Sequence, residues 1–329
     1  MASLGIPGID AQLEASLVLD MQKVEALLRS HIEGDYPLVV ETSRHLVEAG
    51  GKRLRPMLAL LAAQYGDATR NEIIDAAVVC ELTHLATLYH DDVMDEAPLR
   101  RGVESANNRW TNTVAILTGD YLFAKASDLL ADLGPEAVRL QAKTFERLVI
   151  GQITETQGST EGKSQLDHYL SVIADKTGSL IATSARFGAL LAGADSAIVE
   201  ALTKYGEQIG AVFQLADDII DIESTSNESG KTPGTDLREG VPTLVTLFAM
   251  ASEDPADAIL KVTLASPIHD EDVVQATLKT LRSHKALQQS KELVQKYADQ
   301  AKATLAQLPA GPATDALVAL TDAVITRTA

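Results

Sequence analysis

The stretch from residue 76 to residue 95 reads AAVVCELTHLATLYHDDVMD, an apolar run that ends in a group of aspartates. Its apolar residues recur at spacings of three and four, which predicts an α-helix. The closing motif, Asp91-Asp92-Val93-Met94-Asp95, returns after another apolar run as Asp217-Asp218-Ile219-Ile220-Asp221. In each copy the first and last carboxylates lie four residues apart and share one helix face. Both motifs are therefore expected near the carboxyl ends of helices that line one cavity.

Aspartates gathered in this way need a positive charge between them, because carboxylates that converge on one spot repel each other. Hard cations with oxygen ligands meet this need, and Mg²⁺ typically bridges a few carboxylates to substrate phosphates. The repeat predicts a metal-bound diphosphate site with one aspartate cluster on each side. Other metal and phosphate motifs do not fit. The aspartate runs lack the ligand spacing and glycine of an EF-hand loop, and the sequence has no GxxxxGK(S/T) loop and no Cys/His metal spacing.

The composition limits the classes of partner and the compartment. The net charge of −18 argues against nucleic acid, which needs a basic surface, and 4% aromatic residues leave little for base stacking. The single cysteine, Cys80, cannot form an internal disulfide. The amino terminus lacks the pattern of a signal peptide, and no apolar run approaches the roughly 20 residues of a membrane span. We expect a soluble, cytoplasmic protein.

Helical patterns dominate the chain. Apolar spacings of three and four recur in the segments Val24–Ser30, Met57–Gln64, Ala76–His90, Thr113–Leu133 and Leu180–Ala192. Pro135, Pro255 and Pro312 stand where a first helical turn tolerates proline. Runs typical of half-buried strands are scarce, and no linker separates domains. The sequence therefore predicts one all-α domain from residue 1 to residue 329. The polar segment 224–242 is interpreted as an ordered but mobile loop, consistent with a lid.

Two basic segments are candidate anion sites. In Gly50-Gly51-Lys52-Arg53-Leu54-Arg55-Pro56, glycines end one helix and a proline can start the next. Cations three residues apart suit a diphosphate, although a basic helix start alone is usually a solvated surface. In Arg100-Arg101-Gly102, adjacent arginines on a turn could reach different anions. The alternative interpretation is that they neutralise the nearby aspartates.

Several polar residues accompany the aspartates. His84 lies two helical turns before Asp91 on nearly the same face, although a lone histidine in an apolar helix is more often a core residue. His90 is expected to be structural. Lys176-Thr177-Gly178 interrupts an apolar helical stretch, and Gln214 stands three residues before Asp217. Together these residues supply what loss of a diphosphate requires: cations for the departing charge and polar oxygens near a developing carbocation.

These motifs resemble those of the trans-isoprenyl diphosphate synthases (polyprenyl synthetases), over about residues 50–243. The matching blocks, in the family's order, are GGKRLRP at 50–56, HDDVMDEAPLRRG at 90–102, KTG at 176–178, QLADDIID at 214–221 and GKTPGTDLREG at 230–240. The resemblance implies an all-helical bundle around a deep central cavity and a homodimer. It also implies that isopentenyl diphosphate units are added head to tail to an allylic diphosphate.

The resemblance implies a role for each matching residue. Asp91, Asp95 and Asp217 resemble the family's Mg²⁺ ligands, with roughly three ions per site when substrate is bound. Asp92, Asp218 and Asp221 resemble the supporting carboxylates. The positions that match isopentenyl diphosphate ligands are Lys52, Arg55, His84 and Arg101. The positions that match the surroundings of the allylic substrate are Arg100, Lys176, Thr177, Gln214 and Lys231.

The implied reaction is metal-assisted ionisation of the allylic diphosphate. Mg²⁺ and the cations Arg100, Lys176 and Lys231 neutralise the leaving diphosphate, so that the allylic C–O bond can break. Isopentenyl diphosphate then attacks through its double bond, and the released diphosphate takes the proton, since no side chain is an obvious dedicated base. Water must be excluded, which fits an apolar cavity closed by the segment 224–242.

The size of the residue at position 86 bears on product length. Short-chain members of the family tend to carry a bulky aromatic residue five positions before the first aspartate, where this chain has Ala86, with Thr87 beside it. A small side chain leaves the cavity open, which resembles the long-chain synthases, from hexaprenyl to decaprenyl, that supply quinone side chains. The alternative is a short-chain (farnesyl or geranylgeranyl) synthase.

Other readings are disfavoured by particular residues. A class I terpene cyclase shapes its cation with aromatic walls and needs no second diphosphate site. This chain has only 4% aromatic residues, and it has two basic segments. A non-catalytic partner subunit usually loses one aspartate cluster, and this chain keeps both. An acidic helical bundle without a catalytic role does not explain the five matching sequence blocks.

One position departs from the family: many relatives carry lysine where this chain has Val241, and Lys231 and Arg238 are the candidates to compensate. The allylic primer, the need for a second subunit and a peripheral membrane contact for product release stay open.

Overall fold

The structure is a computed structural model, and it describes residues 4–159, 162, 164–224 and 233–326. The chain divides into two compact units that interleave along the sequence. The first unit comprises Met1–Glu146, Leu180–Gly206 and Gln307–Leu317, and the second comprises Arg147–Ser179, Glu207–Ala306 and Val318–Ala329. The expectation of a single domain from residue 1 to residue 329 stays a prediction.

Helices form most of the first unit. Those that begin in it are α1 (Ala11–His31), α2 (Pro37–Glu48), α3 (Leu54–Ala63), α4 (Glu72–Met94), α5 (Ala106–Arg109), α6 (Asn112–Leu133), α7 (Pro135–Gln157), α10 (Ser196–Glu223) and α16 (Pro312–Thr326). The last three continue into the second unit. Conversely, α9 (Ser179–Leu191) begins at the last residue of a second-unit segment and continues in the first unit.

Helix α4 is the core element of the first unit. It packs against α1, α3, α5 and α6, and its residues are buried on nearly every side between Ile73 and Tyr89, which is typical of an interior helix. Gly119 on α6 explains how closely α6 approaches. A Cβ atom there would collide with the ring of His90 and lie 3.0 Å from the carbonyl oxygen of Ala86. The backbones of α4 and α6 therefore meet at the level of Ala86.

A short β-hairpin follows α4. Strands β1 (Leu99–Arg100) and β2 (Val103–Glu104) pair antiparallel, and they are the only strands in the described ranges. The turn residues Arg101 and Gly102 both have positive φ, 54° and 77°, as a two-residue primed turn requires. The hairpin aims the adjacent side chains of Arg100 and Arg101 in different directions. With so little strand, the all-α prediction is confirmed.

The second unit is also helical. It contains the C-terminal parts of α7 and α10, together with α8 (Gln165–Ile173), α11 (Thr235–Glu239), α12 (Leu244–Met250), α13 (Ala258–Leu264), α14 (Glu271–Ser283) and α15 (Lys285–Leu305). Helix α12 packs on α8, α13 and α15. A π-helical segment, Ala174–Gly178, follows α8 directly, at the place where Lys176-Thr177-Gly178 predicts an interruption.

Most local predictions agree with these elements. All five predicted helical segments lie in helices, apart from residues at their ends, and helical structure begins at Pro135, Pro255 and Pro312. The described part of the segment 224–242 contains α11, whereas residues 225–232, including Lys231, lie outside the described residues. Among the residues described, no helix is long and apolar enough to cross a bilayer.

Candidate active site

The first aspartate motif lies at the carboxyl end of α4, as predicted. The helix ends at Met94, and Asp95 is its C-cap residue. The side chain of Asp92 is fully buried, and its Oδ1 accepts a hydrogen bond from Arg100 Nε at 2.5 Å, while its Oδ2 is buried without a hydrogen-bond partner. Burial raises the pKa of Asp92, and Arg100 partly offsets the rise. Asp91 is half-buried and Asp95 is exposed, so these two carboxylates remain accessible to a ligand.

The donor set at this motif fits a hard cation only if other ligands join it. Over the described ranges, no three His, Cys, Asp or Glu side chains are arranged to hold a metal ion by themselves. Asp91 and Asp95 offer accessible carboxylate oxygens at the end of one helix, which are ligands that Mg²⁺ accepts when waters and substrate phosphates complete its shell. The residues therefore fit a metal ion that arrives together with a phosphorylated substrate.

A buried network of ion pairs lies near the amino end of α3. Arg53, the N-cap residue of α3, has a left-handed backbone with φ 47°. Its guanidinium donates to Glu25 Oε1 at 2.5 Å, to Glu81 Oε1 at 2.8 Å and to the carbonyl oxygen of Val47 at 3.1 Å. The motif-based reasoning did not identify Glu25 and Glu81. An acidic residue inside an otherwise apolar run, such as Glu81 between Cys80 and Leu82, was the signal available.

Arg101 occupies a site formed by the last turn of α2 and the glycines that follow it. Its Nη1 donates to the carbonyl oxygens of Leu46, at 2.8 Å, and Gly50. Its guanidinium lies over Gly51, where a Cβ atom would come within 2.9 Å of Arg101 Cζ. Neutralisation of the aspartates therefore describes Arg100 but not Arg101, because the hairpin turns the two side chains to different partners.

Arg55 and His84 belong to the same basic cluster. Burial lowers the pKa of Arg55, and its Nε is buried without a hydrogen-bond partner. The pKa of His84 lies well below its ordinary value, first because of burial and then because Arg55, Arg101, Arg100 and Arg53 repel a proton. His84 is therefore neutral at physiological pH and can give one hydrogen bond without adding charge. Lys52, next to Arg53, is exposed.

Three further residues of α4, Ala86, Thr87 and His90, lie just before the aspartates. Ala86 is fully buried, and Thr87 is 9% exposed and donates to the carbonyl oxygen of His84. His90 contacts the carbonyl oxygen of Ile116 at 3.0 Å and Asp120 at 3.5 Å. These contacts agree with the structural role expected for His90.

The second aspartate motif lies at the carboxyl end of α10, and neutral donors surround its buried member. Asp218 is 4% exposed and accepts hydrogen bonds from the hydroxyl of Tyr169, from the amide of Leu244 at 2.9 Å and from Gln214 Nε2 at 3.4 Å. Burial raises the pKa of Asp218 to about 6, although each of these hydrogen bonds opposes the rise. Tyr169 carries no motif signature and was not predicted.

Asp221 accepts hydrogen bonds from backbone amides. Its carboxylate accepts hydrogen bonds from the amides of Thr235 at 3.2 Å and Asp236 at 3.3 Å, and its carbonyl oxygen accepts from Gly234. These amides belong to the start of α11, as the amide of Leu244 belongs to the start of α12. Asp218 and Asp221 therefore fix the amino ends of two helices to the end of α10. Asp217, half-buried, precedes them on α10.

The π-helical segment brings Thr177 to α10 and Lys176 to α7. Thr177 Oγ1 lies 3.5 Å from Gln214 Oε1, and Lys176 Nζ pairs with Glu155 Oε2 at 2.5 Å. Gly151 on α7 permits this packing, because a Cβ atom there would lie 2.6 Å from the backbone nitrogen of Lys176. Close backbone contact and π-helical turns are common at functional sites.

The segment after the second motif holds two residues raised by the sequence. Arg238 is paired with both carboxylate oxygens of Glu271, and it also donates to the carbonyl oxygen of Pro233. Its guanidinium is thus already engaged by protein groups. Val241, the departure from the family pattern, is 42% exposed. Lys231, the other candidate to compensate for it, lies outside the described residues.

A family model and a known enzyme each match most of this chain. Residues 36–281 match the family model "Polyprenyl synthetase". The chain is 46% identical to the nonaprenyl diphosphate synthase of Mycobacterium tuberculosis over 97% of this chain and 95% of that protein.

Two solved structures share the fold. The geranylgeranyl pyrophosphate synthase of Corynebacterium glutamicum, complexed with calcium and isoprenyl diphosphate, has a TM-score of 0.87 and 44% identity, and the match covers 97% of this chain and 98% of that one. The polyprenyl synthase of Caulobacter crescentus CB15, also complexed with calcium and isoprenyl diphosphate, has a TM-score of 0.89 and 34% identity, with coverage of 96% and 97%.

Proposed function

This chain belongs to the polyprenyl synthetase family, and we propose on that basis that it condenses isopentenyl diphosphate with an allylic diphosphate, releases diphosphate and builds a long-chain all-trans polyprenyl diphosphate. The observation that carries the proposal is the basic cluster beside the first aspartate motif. There Arg55 and Arg101 are half-buried, and Arg55 Nε is buried without a hydrogen-bond partner. A diphosphate would supply the missing acceptor.

The residues of the first unit would bind isopentenyl diphosphate. Arg55 offers a planar guanidinium, exposed Lys52 offers a flexible point charge, and Arg101 is held in place by backbone carbonyls. Neutral His84 can donate a hydrogen bond to a phosphate oxygen. These residues bind and orient isopentenyl diphosphate, which keeps its diphosphate group in the reaction, so that its double bond can act as the nucleophile.

The other carboxylates and cations would bind the allylic diphosphate. Asp91, Asp95 and Asp217 are the proposed metal ligands. Asp92, which pairs with Arg100, and Asp218 and Asp221, which accept hydrogen bonds from the starts of α12 and α11, would support them. Bound Mg²⁺ would neutralise the allylic diphosphate and so make it a better leaving group. Arg100, Lys176 and Lys231 would add positive charge. Thr177 and Gln214 would supply oxygen atoms that stabilise a developing carbocation.

We propose a product in the range from hexaprenyl to decaprenyl. Support comes from the small, buried Ala86 and from the 46% identical nonaprenyl diphosphate synthase. A second candidate, a shorter product, is favoured by the 44% identity to a geranylgeranyl pyrophosphate synthase. Incubation with labelled isopentenyl diphosphate, farnesyl diphosphate and Mg²⁺, followed by chromatography of the dephosphorylated products, distinguishes the two. A wild-type product that stops at geranylgeranyl length would refute the long-chain proposal.

The variant Ala86→Phe tests the cause of product length. A phenyl group at this position would fill space near the first aspartate motif, so we expect a shorter product with little loss of isopentenyl diphosphate consumption. Thr87→Ser, which removes one methyl group from the neighbouring residue, is the matched control. An unchanged product length in Ala86→Phe would show that this position does not limit elongation.

We further propose a cytoplasmic homodimer. The family resemblance supports the dimer, and the composition supports the compartment. Light scattering of the purified chain tests the first, and cell fractionation tests the second. A monomer that is active alone, or a chain that gains activity only when a second polypeptide is added, would overturn the homodimer.

A further inference from the structure

We propose that Glu81 is a positioning residue of the isopentenyl diphosphate site, because its buried carboxylate is a counter-ion shared by Arg53, Arg55 and Arg101. Glu81 lies outside all five sequence blocks. The inference rests on the proposed function, since it concerns the site assigned there to isopentenyl diphosphate.

Glu81 is an acidic residue in an unfavourable place. It is 1% exposed, on an interior helix, with Cys80 and Leu82 beside it fully buried. An ionised carboxylate away from water is costly unless cations and hydrogen-bond donors compensate it. Arg53 Nη1 donates to its Oε1 at 2.8 Å, and Arg101 Nη2 lies 3.8 Å from the same oxygen. One carboxylate oxygen thus faces two guanidinium groups.

Arg53 is not available to bind substrate, because all three of its guanidinium nitrogens already have partners. Nε is bound to Glu25, Nη1 to Glu81 and Nη2 to the carbonyl oxygen of Val47. These bonds hold a non-glycine backbone at φ 47°, a conformation that L residues rarely adopt without support. Since Arg53 lies between Lys52 and the first turn of α3, its conformation sets the direction of Lys52 and of Arg55.

The carboxylate of Glu81 opposes the effect of burial on the pKa of both Arg101 and Arg55. Burial lowers the pKa of Arg101, and Glu81 is the largest influence that opposes it, while Arg53 and Arg100 lower it further. Burial also lowers the pKa of Arg55, and Glu81 is the largest influence that raises it. Without Glu81, guanidinium groups that repel each other would share one partly buried region. The carboxylate therefore lets the cations gather before an anionic substrate arrives.

The variant Glu81→Gln separates this role from a purely structural one. Glutamine keeps the size and can still accept the hydrogen bond from Arg53, but it removes the negative charge. We expect the KM for isopentenyl diphosphate to rise at least about tenfold, as displaced binding groups typically cause, while the KM for the allylic diphosphate stays within about twofold. A substitution that only loosens the fold would lower the active fraction without separating the two KM values.

Glu25→Gln is the matched control. Glu25 also pairs with Arg53, but it is 25% exposed, and its other ion pair is with Arg29 on the same helix. We expect the KM for isopentenyl diphosphate to stay within about twofold of wild type in this variant. Calorimetric titration of each metal-free protein with isopentenyl diphosphate alone measures the same difference without turnover.

The double variant Arg53→Met with Glu81→Met covers the case in which Glu81→Gln does not fold. It removes a buried ion pair as a whole, which proteins often tolerate. Since Arg55 and Arg101 still lose their counter-ion, we expect the raised KM for isopentenyl diphosphate to persist. A double variant with a normal KM would overturn the inference, because Glu81 would then serve only to balance Arg53.

Two further results would overturn it. One is an unchanged or lowered KM for isopentenyl diphosphate in folded Glu81→Gln, and the other is an equal rise for both substrates. These outcomes differ from failure of the proposed function itself, in which the wild-type chain would not consume isopentenyl diphosphate at all.

Discussion

The two aspartate motifs have nearly the same sequence, but different kinds of groups hold them. In the first unit, buried Asp92 is paired with the guanidinium of Arg100, and four arginines lie near His84. In the second unit, buried Asp218 is bound by a tyrosine hydroxyl, a backbone amide and a side-chain amide, all of them neutral. The buried aspartate of one motif is thus stabilised by an ion pair and that of the other by neutral hydrogen bonds. The same four-residue spacing of carboxylates can therefore be kept in place in two ways, with different responses to mutation and pH.

The largest effect is expected where the motifs are alike. Asp91→Asn and Asp217→Asn each remove a proposed metal ligand, and we expect either one to lower kcat on the order of a thousandfold, since loss of metal-based charge stabilisation costs several kcal/mol. Chelation of divalent metal should abolish activity, and added Mg²⁺ should restore it. Glu96→Gln, at an exposed neighbour of the first motif, is the control. Activity that survives in only one of the two variants would show that the motifs are not equivalent.

The next effect concerns the ion pair of the first motif. Arg100→Met leaves the buried Asp92 without its cation, so we expect the free energy of unfolding to fall by about 3 kcal/mol. Arg109→Met removes an arginine whose pair with Glu41 is exposed, and a loss below about 1 kcal/mol is expected there. Denaturant unfolding of both variants measures the difference. Equal losses would mean that burial of Asp92 does not decide the strength of its pairing.

The pH dependence distinguishes the second motif. Folding raises the pKa of Asp218 to about 6, above the ordinary value of 3.8, so the folded state binds this proton more tightly than the unfolded state. The contribution of Asp218 to the free energy of unfolding is therefore fully present below about pH 4. It is lost as the pH rises through about 6, which lowers the free energy of unfolding by up to about 3 kcal/mol. Asp218→Asn should remove this component when unfolding free energies are compared between pH 4 and pH 7. An identical pH profile in the variant would show that Asp218 does not titrate in this range.

The smallest effect is expected from a single neutral hydrogen bond. Tyr169→Phe removes the hydroxyl that donates to Asp218 and leaves the ring in place, so we expect a loss of about 1 to 2 kcal/mol in unfolding free energy. The pKa of Asp218 should rise further, because this hydrogen bond opposes the effect of burial. Tyr121→Phe, at a partly exposed tyrosine of the first unit, is the control. A pKa of Asp218 that falls in Tyr169→Phe would contradict the assignment of Tyr169 as the donor.

The sequence predicted the elements better than the contacts between them. The apolar spacing of Ala76–His90 and the proline at position 135 depend on local propensity, and both predictions were confirmed. The all-α fold followed from helical spacing and the family from the motif blocks, and the comparisons confirm both. The roles of the individual aspartates, basic residues and Ala86 in binding and product length stay predictions.

What the sequence missed depends on long-range packing. Glu81 and Arg53 meet only because α1, α3 and α4 pack together, and Tyr169 reaches Asp218 across 49 positions of chain. The different directions of Arg100 and Arg101 follow from positive φ angles in a hairpin turn that periodicity does not signal. Asp218 and Asp221 were expected to support metal ligands, and their observed hydrogen bonds to the starts of α11 and α12 add a structural task that spacing alone does not reveal.

The π-helical segment Ala174–Gly178 has a consequence for how this chain can change in length. A π-helical turn holds one residue more than an α-helical turn, so deletion of a single residue here would let the segment relax to an ordinary α-helix. Each residue advances an α-helix by about 100°, so the side chains of Lys176 and Thr177 would turn away from Glu155 and Gln214. A one-residue deletion, harmless in most loops, would thus remove two polar groups at once without changing the identity of either. The extra residue therefore decides which partners Lys176 and Thr177 contact.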